Sequence, residues 1–268
     1  MRIGILSAFP LVDGLDYKKF LLGELLKRVD NPKNLAIIYS HARLTDYYEV
    51  GIKRLGLSRS LEKIKKTPPA PEPASTPESK QKKGSLSALA RNHGIPVKRF
   101  HRFKDQACAD FLEDFNPDAL FNLSGQYVPK KILNSLPLGV VGGHYGLLPQ
   151  MRGGDTLRWS ILLDVPIYVC HMFLKPALDM GDILSKEPVP VFRDDNMAAL
   201  RRRCQFQSAR GFVHLYDLMN HGKIKRTPQH KNEGSTFYRM GKLLRDKVDH
   251  RMAQGLYAHY AEDRERMD

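Results

Sequence analysis

Apolar and polar positions alternate along the chain in blocks that predict strands and helices in turn. Arg2 to Ala8 is a short apolar run with the length of a buried strand. From Tyr17 to Arg28, Phe20, Leu21, Leu25 and Leu26 recur among charges at helical spacing, which predicts an amphipathic helix. Leu35 to Ser40 is a second strand. The alternation continues with a short helix over Leu86 to Ala90 stopped at Gly94, a strand from Pro96 to Phe100 and a helix capped by Asp105 and running through Phe115. A strand from Ala119 to Leu123 follows, then a short helix begun at Pro129, where proline suits the first turn.

Leu138 to Val141 is a further buried strand, followed by Gly142, Gly143 and His144. A helix bearing the only tryptophan, Trp159, comes next, then an apolar run ending at Leu178-Asp179-Met180-Gly181-Asp182. Asp194 or Asp195 is placed to cap a long helix from about Met197 to Leu218. Its apolar side is Leu200, Phe206, Phe212, Leu215 and Met219, and Arg201, Arg202 and Arg203 fall on its exposed faces. A charged helix is expected from Lys242 to about Tyr260.

Strand-helix-strand order at the start implies parallel pairing with right-handed crossovers. The expected fold is therefore α/β, a Rossmann-like, mostly parallel sheet flanked by helices. It is expected to occupy residues 1–220, with a short helical C-terminal extension over 221–268. Residues 65–84 are rich in Pro, Ser and Lys with almost no apolar content, and predict a mobile loop. Ser7-Ala8-Phe9-Pro10 after the first strand has no glycine fingerprint, so a dinucleotide site is not supported.

Composition narrows the class. With 268 residues and 42% apolar content, the chain is long enough to bury a full core. No run approaches the roughly 20 apolar residues of a membrane span, and the apolar stretch in MRIGILSAFP is too short for a signal peptide. The expectation is a cytoplasmic protein without a membrane partner. Cys108, Cys170 and Cys204 are widely separated and odd in number, which suits reduced thiols packed as small hydrophobes rather than a disulfide framework or a metal knuckle. The formal charge of +14 favours an anionic partner such as nucleic acid, a nucleotide-linked substrate or a polyanionic cofactor. No nucleic-acid module is recognisable.

The candidate chemistry centres on His144, just past a central strand, where open parallel sheets place their ligands. Gly142 and Gly143 permit a tight turn or close backbone approach. Asp179 is the leading partner carboxylate, able to orient the imidazole and favour its charged form. Such a pair moves a proton or stabilises an anionic intermediate. By spacing alone, a structural histidine fits equally well.

His144-Tyr145-Gly146-Leu147-Leu148-Pro149 with Arg152-Gly153 closely resembles the His-x-Ser-Leu-Leu-Pro-x-x-Arg-Gly motif of folate-dependent formyltransferases. Trp159 matches the aromatic on their following helix, and Leu178-Asp179-Met180-Gly181-Asp182-Ile183-Leu184 resembles their Leu-Asp-Thr-Gly-Asp-Ile-Leu turn. Ala90 to Val97, Asn116-Pro117-Asp118 and Gly125 to Pro129 also have counterparts, so the likeness runs in order through most of residues 1–220.

The resemblance implies transfer of a formyl group from 10-formyltetrahydrofolate to a primary amine. His144 would assist proton transfer, and Asp179 would orient and charge-tune it. The family's third site residue is an Asn two positions before the His, donating to the developing oxyanion; here Gly142 stands there. Loss of one such donor costs about a hundredfold to a thousandfold in rate. Asn122, Gln126 or a main-chain N–H at Gly142 or Gly143 could replace it. The motif's Ser is likewise replaced, by Gly146.

By the same resemblance, the folate would lie against Val128, Leu147, Leu148 and the segment from Ala177 to Asp182, with Arg152 meeting an anionic part of a ligand. Leu147 and Leu148 also fit plain core. For the acceptor, a small anionic amine such as a nucleotide-linked amino sugar suits the charge. Phe237-Tyr238-Arg239-Met240 resembles a tail element of some small transferases. Acceptor tRNA is set aside, because family members acting on it carry an added C-terminal β-barrel that about fifty largely helical residues do not supply. A homodimer is left open. The alternative is an altered or inactive homologue that binds folate or nucleic acid.

Overall fold

The structure, a computed structural model, describes residues 1–9, 16–41 and 85–261. The loop expected at 65–84 lies outside the described residues. Within them the order is β1 (Ile3–Phe9), α1 (Asp16–Leu26), β2 (Leu35–His41), α2 (Leu86–Asn92), β3 (Val97–Phe100), α3 (Gln106–Phe115), β4 (Ala119–Asn122), α4 (Lys130–Leu133) and β5 (Val140–His144). Then come β6 (Met151–Gly153), α5 (Thr156–Leu163), β7 (Tyr168–Phe173), β8 (Ile183–Pro188), α6 (Met197–Asn220), β9 (Ser235–Phe237) and α7 (Lys242–Ala253).

Among the described residues, seven strands form one sheet in the order β3-β2-β1-β4-β5-β7-β8. The first five are parallel. β7 and β8 continue the sheet antiparallel to their neighbours. The chain starts on β1, builds outward through β2 and β3, then returns to add β4 on the other side of β1. That reversal puts the topological switch point, where open sheets bind ligands at the carboxyl ends of their strands, between β1 and β4, one strand from β5.

Successive residues of the central strands enter opposite cores, the period-2 pattern of a sheet covered on both faces. Ile3, Ile5, Phe121 and Val141 pack with Leu21 and Leu25 of α1 and Phe212 of α6. Leu6, Ile38, Leu120 and Val140 pack with Cys108 and Leu112 of α3 and Ile132 of α4. The three cysteines are free and buried, and burial pushes the Cys108 and Cys204 thiols up to about 12. No helix among the described residues is long and apolar enough to cross a membrane.

Four local expectations are corrected. Asn196, not Asp194 or Asp195, caps α6, since its carboxamide accepts from the N–H groups of Ala198 and Ala199. Asp195 instead accepts from Phe192 N and holds Arg203 at 2.5 and 2.8 Å, which draws Arg203 away from a fully exposed face. α7 ends at Ala253, because Arg251 turns to Asp164 and Leu256 O and pulls the following chain onto α5. The segment expected as a helical extension also contributes β9, which pairs in parallel with β6. Strands of three residues carry too little pattern to be legible in sequence.

His171 on β7 is fully enclosed, with Nδ1 at 2.9 Å from Ser185 Oγ and Nε2 at 3.0 Å from Ser208 O. Burial lowers its pKa to about 4. The unfolded chain, with a His near 6.5, takes up a proton between these values that the folded chain refuses. Stability should therefore fall by on the order of 3 kcal/mol as pH drops from about 6.5 to about 4. Urea denaturation across this range measures it, and His171→Gln should flatten that slope; an unchanged slope would refute the assignment.

Candidate active site

β5 presents alternate residues to opposite faces. A Cβ on Gly143 would meet Ser208 and Phe212 of α6, whereas one on Gly142 would meet Leu174. His144, two residues beyond Gly142, shares the face away from α6. The β7–β8 connection, residues 174–182, folds back over this face and delivers Asp179, whose φ of 52° lies in the left-handed region. Asp is among the few residues that tolerate that conformation.

His144 is the last residue of β5 rather than lying just past the strand, because β5 runs on from Val141 to His144, and it is only 7% exposed. Its Nε2 lies 2.8 Å from Met151 O. A carbonyl only accepts, so Nε2 carries the hydrogen. Nδ1 lies 3.5 Å from Asp179 Oδ2, which also accepts from Gly153 N at 2.8 Å. A proton arriving at Nδ1 is thus met by a carboxylate already anchored on main chain. The pairing drawn from sequence is present in space.

Both glycines flanking His144 have a steric reason. A Cβ at Gly142 would lie 2.5 Å from Leu174 Cδ2. One at Gly146 would lie 2.7 Å from His144 Nε2 and 3.1 Å from Met151 O. Leu174 therefore fills the space beside position 142, and the imidazole fills the space beside position 146.

The remaining sequence candidates separate. Val128 and Leu148 are buried, Val128 beneath α3 and α4 and Leu148 against Cys170, Met172 and Ile183, so their side chains are core. Leu147 is half-buried and Ala177 exposed. Asp182 accepts from Lys175 Nζ at 2.7 Å. Arg152 is buried, 2% exposed. Its guanidinium donates to Gln229 Oε1, Lys231 O and His230 O. It ties β6 to the C-terminal segment. Among the described residues, no group of His, Cys, Asp and Glu could hold a metal ion.

Sequence reasoning missed Gln229. Its amide donates to Asp179 O at 3.1 Å and Gly181 O at 2.6 Å while its carbonyl accepts from Arg152. One side chain thereby joins the Asp179 turn to β6. Leu174 and the Met151 carbonyl were missed too. No motif marks any of the three: Gln229 and Leu174 act through contacts between distant segments, and the Met151 carbonyl acts through its main chain.

A family profile described as Formyl transferase matches residues 66–215, more than half of the chain. The chain belongs to the formyl transferase family. Methionyl-tRNA formyltransferase of Geotalea daltonii is 32% identical over 146 residues, 54% of this chain and 47% of that protein. The chain spans about half the length of the curated relatives it matches. Among solved structures, phosphoribosylglycinamide formyltransferase from Anaplasma phagocytophilum superposes with a TM-score of 0.58 at 16% identity, covering 90% of this chain and 99% of that one. The N-formyltransferase from Helicobacter canadensis, solved with folinic acid and dTDP-3-aminofucose, gives 0.57 at 15% identity, covering 89% and 71%. These two share the fold. Within the formyl transferase match lie His144, Arg152 and Asp179, whereas Gln229 and β9 fall beyond it.

Replacing Gln229 with Ala strips two carbonyls and Arg152 of a partner. Leaving such groups unsatisfied should cost about 2 kcal/mol and lower the melting temperature by several degrees. Calorimetric melting checks this, and an unaltered transition would mean that Gln229 does not anchor the turn.

Proposed function

We propose that this chain transfers a formyl group from 10-formyltetrahydrofolate to the primary amine of a small anionic acceptor, a nucleotide-linked amino sugar. The observation carrying this reading is His144 paired with Asp179 at the carboxyl end of a central strand in a formyl transferase chain. The surroundings offer apolar faces to the rings of the donor. Tyr127 is 67% and Leu178 60% exposed, large apolar side chains left uncovered beside β4 and beside Asp179. With half-buried Leu147 and the main chain from Ala177 to Asp182, they are the residues that would hold it.

When bound, the donor supplies an electrophilic formyl carbon, which exchanges its bond to the donor nitrogen for one to the acceptor amine, the amine proton ending on the donor nitrogen. Nε2 of His144 is fixed on Met151 O, so Nδ1 is the nitrogen that takes up and returns that proton. Asp179 stabilises the charge on the ring meanwhile, and Gly153 N–H holds the carboxylate in place. The net charge of +14 suits an acceptor bearing phosphates. An amino-sugar nucleotide is present with the Helicobacter canadensis protein, and the curated relatives keep methionyl-tRNA as a competing acceptor.

A second reading, folate or nucleic-acid binding without turnover, is favoured by one observation: Leu174 fills the space where a donor side chain at position 142 would stand. Incubating the purified chain with 10-formyltetrahydrofolate and either amino-sugar nucleotides or methionyl-tRNA separates the readings. Mass spectrometry should detect addition of one formyl group to the sugar nucleotide. His144→Ala and Asp179→Asn should each lower the rate about a hundredfold or more. Folate binding with no formyl gain on any acceptor would overturn the enzyme reading.

A further inference from the structure

We infer that the side-chain amide of Asn122 is the hydrogen-bond donor for the formyl oxygen in this site, supplied from the strand next to position 142. The inference rests on the formyl-transfer reading above. As the amine attacks, the carbonyl electron pair moves onto the formyl oxygen, and a donor aimed there lowers the barrier; the pair returns when the bond to the donor nitrogen breaks. Gly142 has no side chain to offer, and Leu174 closes the space beside it.

Asn122 ends β4 and is in register with Gly142 on β5. Neighbouring strands lie about 4.8 Å apart, and paired residues of parallel strands point to the same side. Packing agrees independently. Leu120 and Val140, the residues two positions before Asn122 and Gly142, enter the same core, whereas Phe121 and Val141 both enter the other. Asn122, Gly142 and His144 therefore line one face at the carboxyl ends of adjacent strands.

The carboxamide is also held in one orientation. Oδ1 accepts from Ser124 N at 3.0 Å and Ser124 Oγ at 2.5 Å, so the main-chain donor fixes which end is oxygen. Nδ2 donates one hydrogen to Gln126 O at 3.2 Å. An amide nitrogen has two hydrogens, and the second has no partner among the described residues. Such a donor is preorganised, the property that makes oxyanion stabilisation effective. The other candidates are worse placed. Gln126 is bonded through Oε1 to Ser40 on β2, across β1 and β4 from His144. The main chain of Gly142 lies in the ladder between β4 and β7.

The test pairs kinetics with a spectroscopic readout. Asn122→Asp keeps an acceptor for Ser124 and loses the donor; Asn122→Ala loses both. Each should lower kcat about a hundredfold with KM changed only a few-fold. In the Asn122→Ala background, Gly142→Asn combined with Leu174→Ala should recover much of the loss, and Gly142→Asn alone should recover less, because Leu174 must first shift out of its space. Independently of turnover, the infrared carbonyl stretch of bound 13C-formyl-labelled 5-formyltetrahydrofolate should lie lower in the wild type than in Asn122→Asp. Wild-type transfer with undiminished kcat in both Asn122 variants, or identical stretches, would overturn this inference while leaving the formyl-transfer reading intact. A wild type that binds the folate and shows the shift without formylating any acceptor would overturn the functional reading but keep the Asn122 contact. Failure to bind the folate would overturn both.

Discussion

Asp179 Oδ2 is where the architecture converges on the site. It accepts from Gly153 N–H and stands 3.5 Å from His144 Nδ1, so one oxygen joins β6, the β7–β8 connection and β5. A carboxylate beside a histidine on a mobile loop would lose most of its value, because both its distance and its orientation would fluctuate. Here the turn is gripped from both sides. Gly153 holds the carboxylate, and Gln229 holds the carbonyls of Asp179 and Gly181.

That grip depends on Arg152. Burying a guanidinium is costly unless its N–H groups find acceptors. Gln229, Lys231 and His230 provide them, all from the C-terminal segment. The same segment is fastened by β9 against β6, by Trp159 Nε1 donating to Tyr238 O, and by Met240 N donating to Asp155. The C-terminal residues, which lie beyond the family match, thus form part of the scaffold that positions Asp179. The polar cluster is satisfied from within, which is what lets it stay ordered in a low-dielectric setting.

A second theme is exchange of volume around His144. Position 142 has given its space to Leu174 and position 146 has given its space to the imidazole, which bonds the Met151 carbonyl. Two glycines that look like simple losses from the motif are instead complementary to what replaced them. In a close-packed interior the space beside a glycine is filled by its neighbours. Asn122 on the adjacent strand then lies on the same face with a fixed amide.

The order of strands and helices, the parallel sheet and the His144–Asp179 pair were legible in the chain, because each rests on local periodicity or an ordered motif: Ile3 and Ile5 alternate with Gly4 and Leu6, and Leu178 to Asp182 is contiguous. Tertiary structure alone decided what depends on distant residues meeting. Nothing in the sequence around Arg152 shows that the segment near His230 buries it. Gln229 has no motif, and β6 and β9 are three-residue strands that exist only in each other's company. Asn196 and Asp195 differ by one position, and side-chain reach chose the cap. Gly142 was visible as a departure, but only the structure shows that Leu174 occupies the space beside it. Sequence carried the local pattern, and long-range contacts settled the shape of the site.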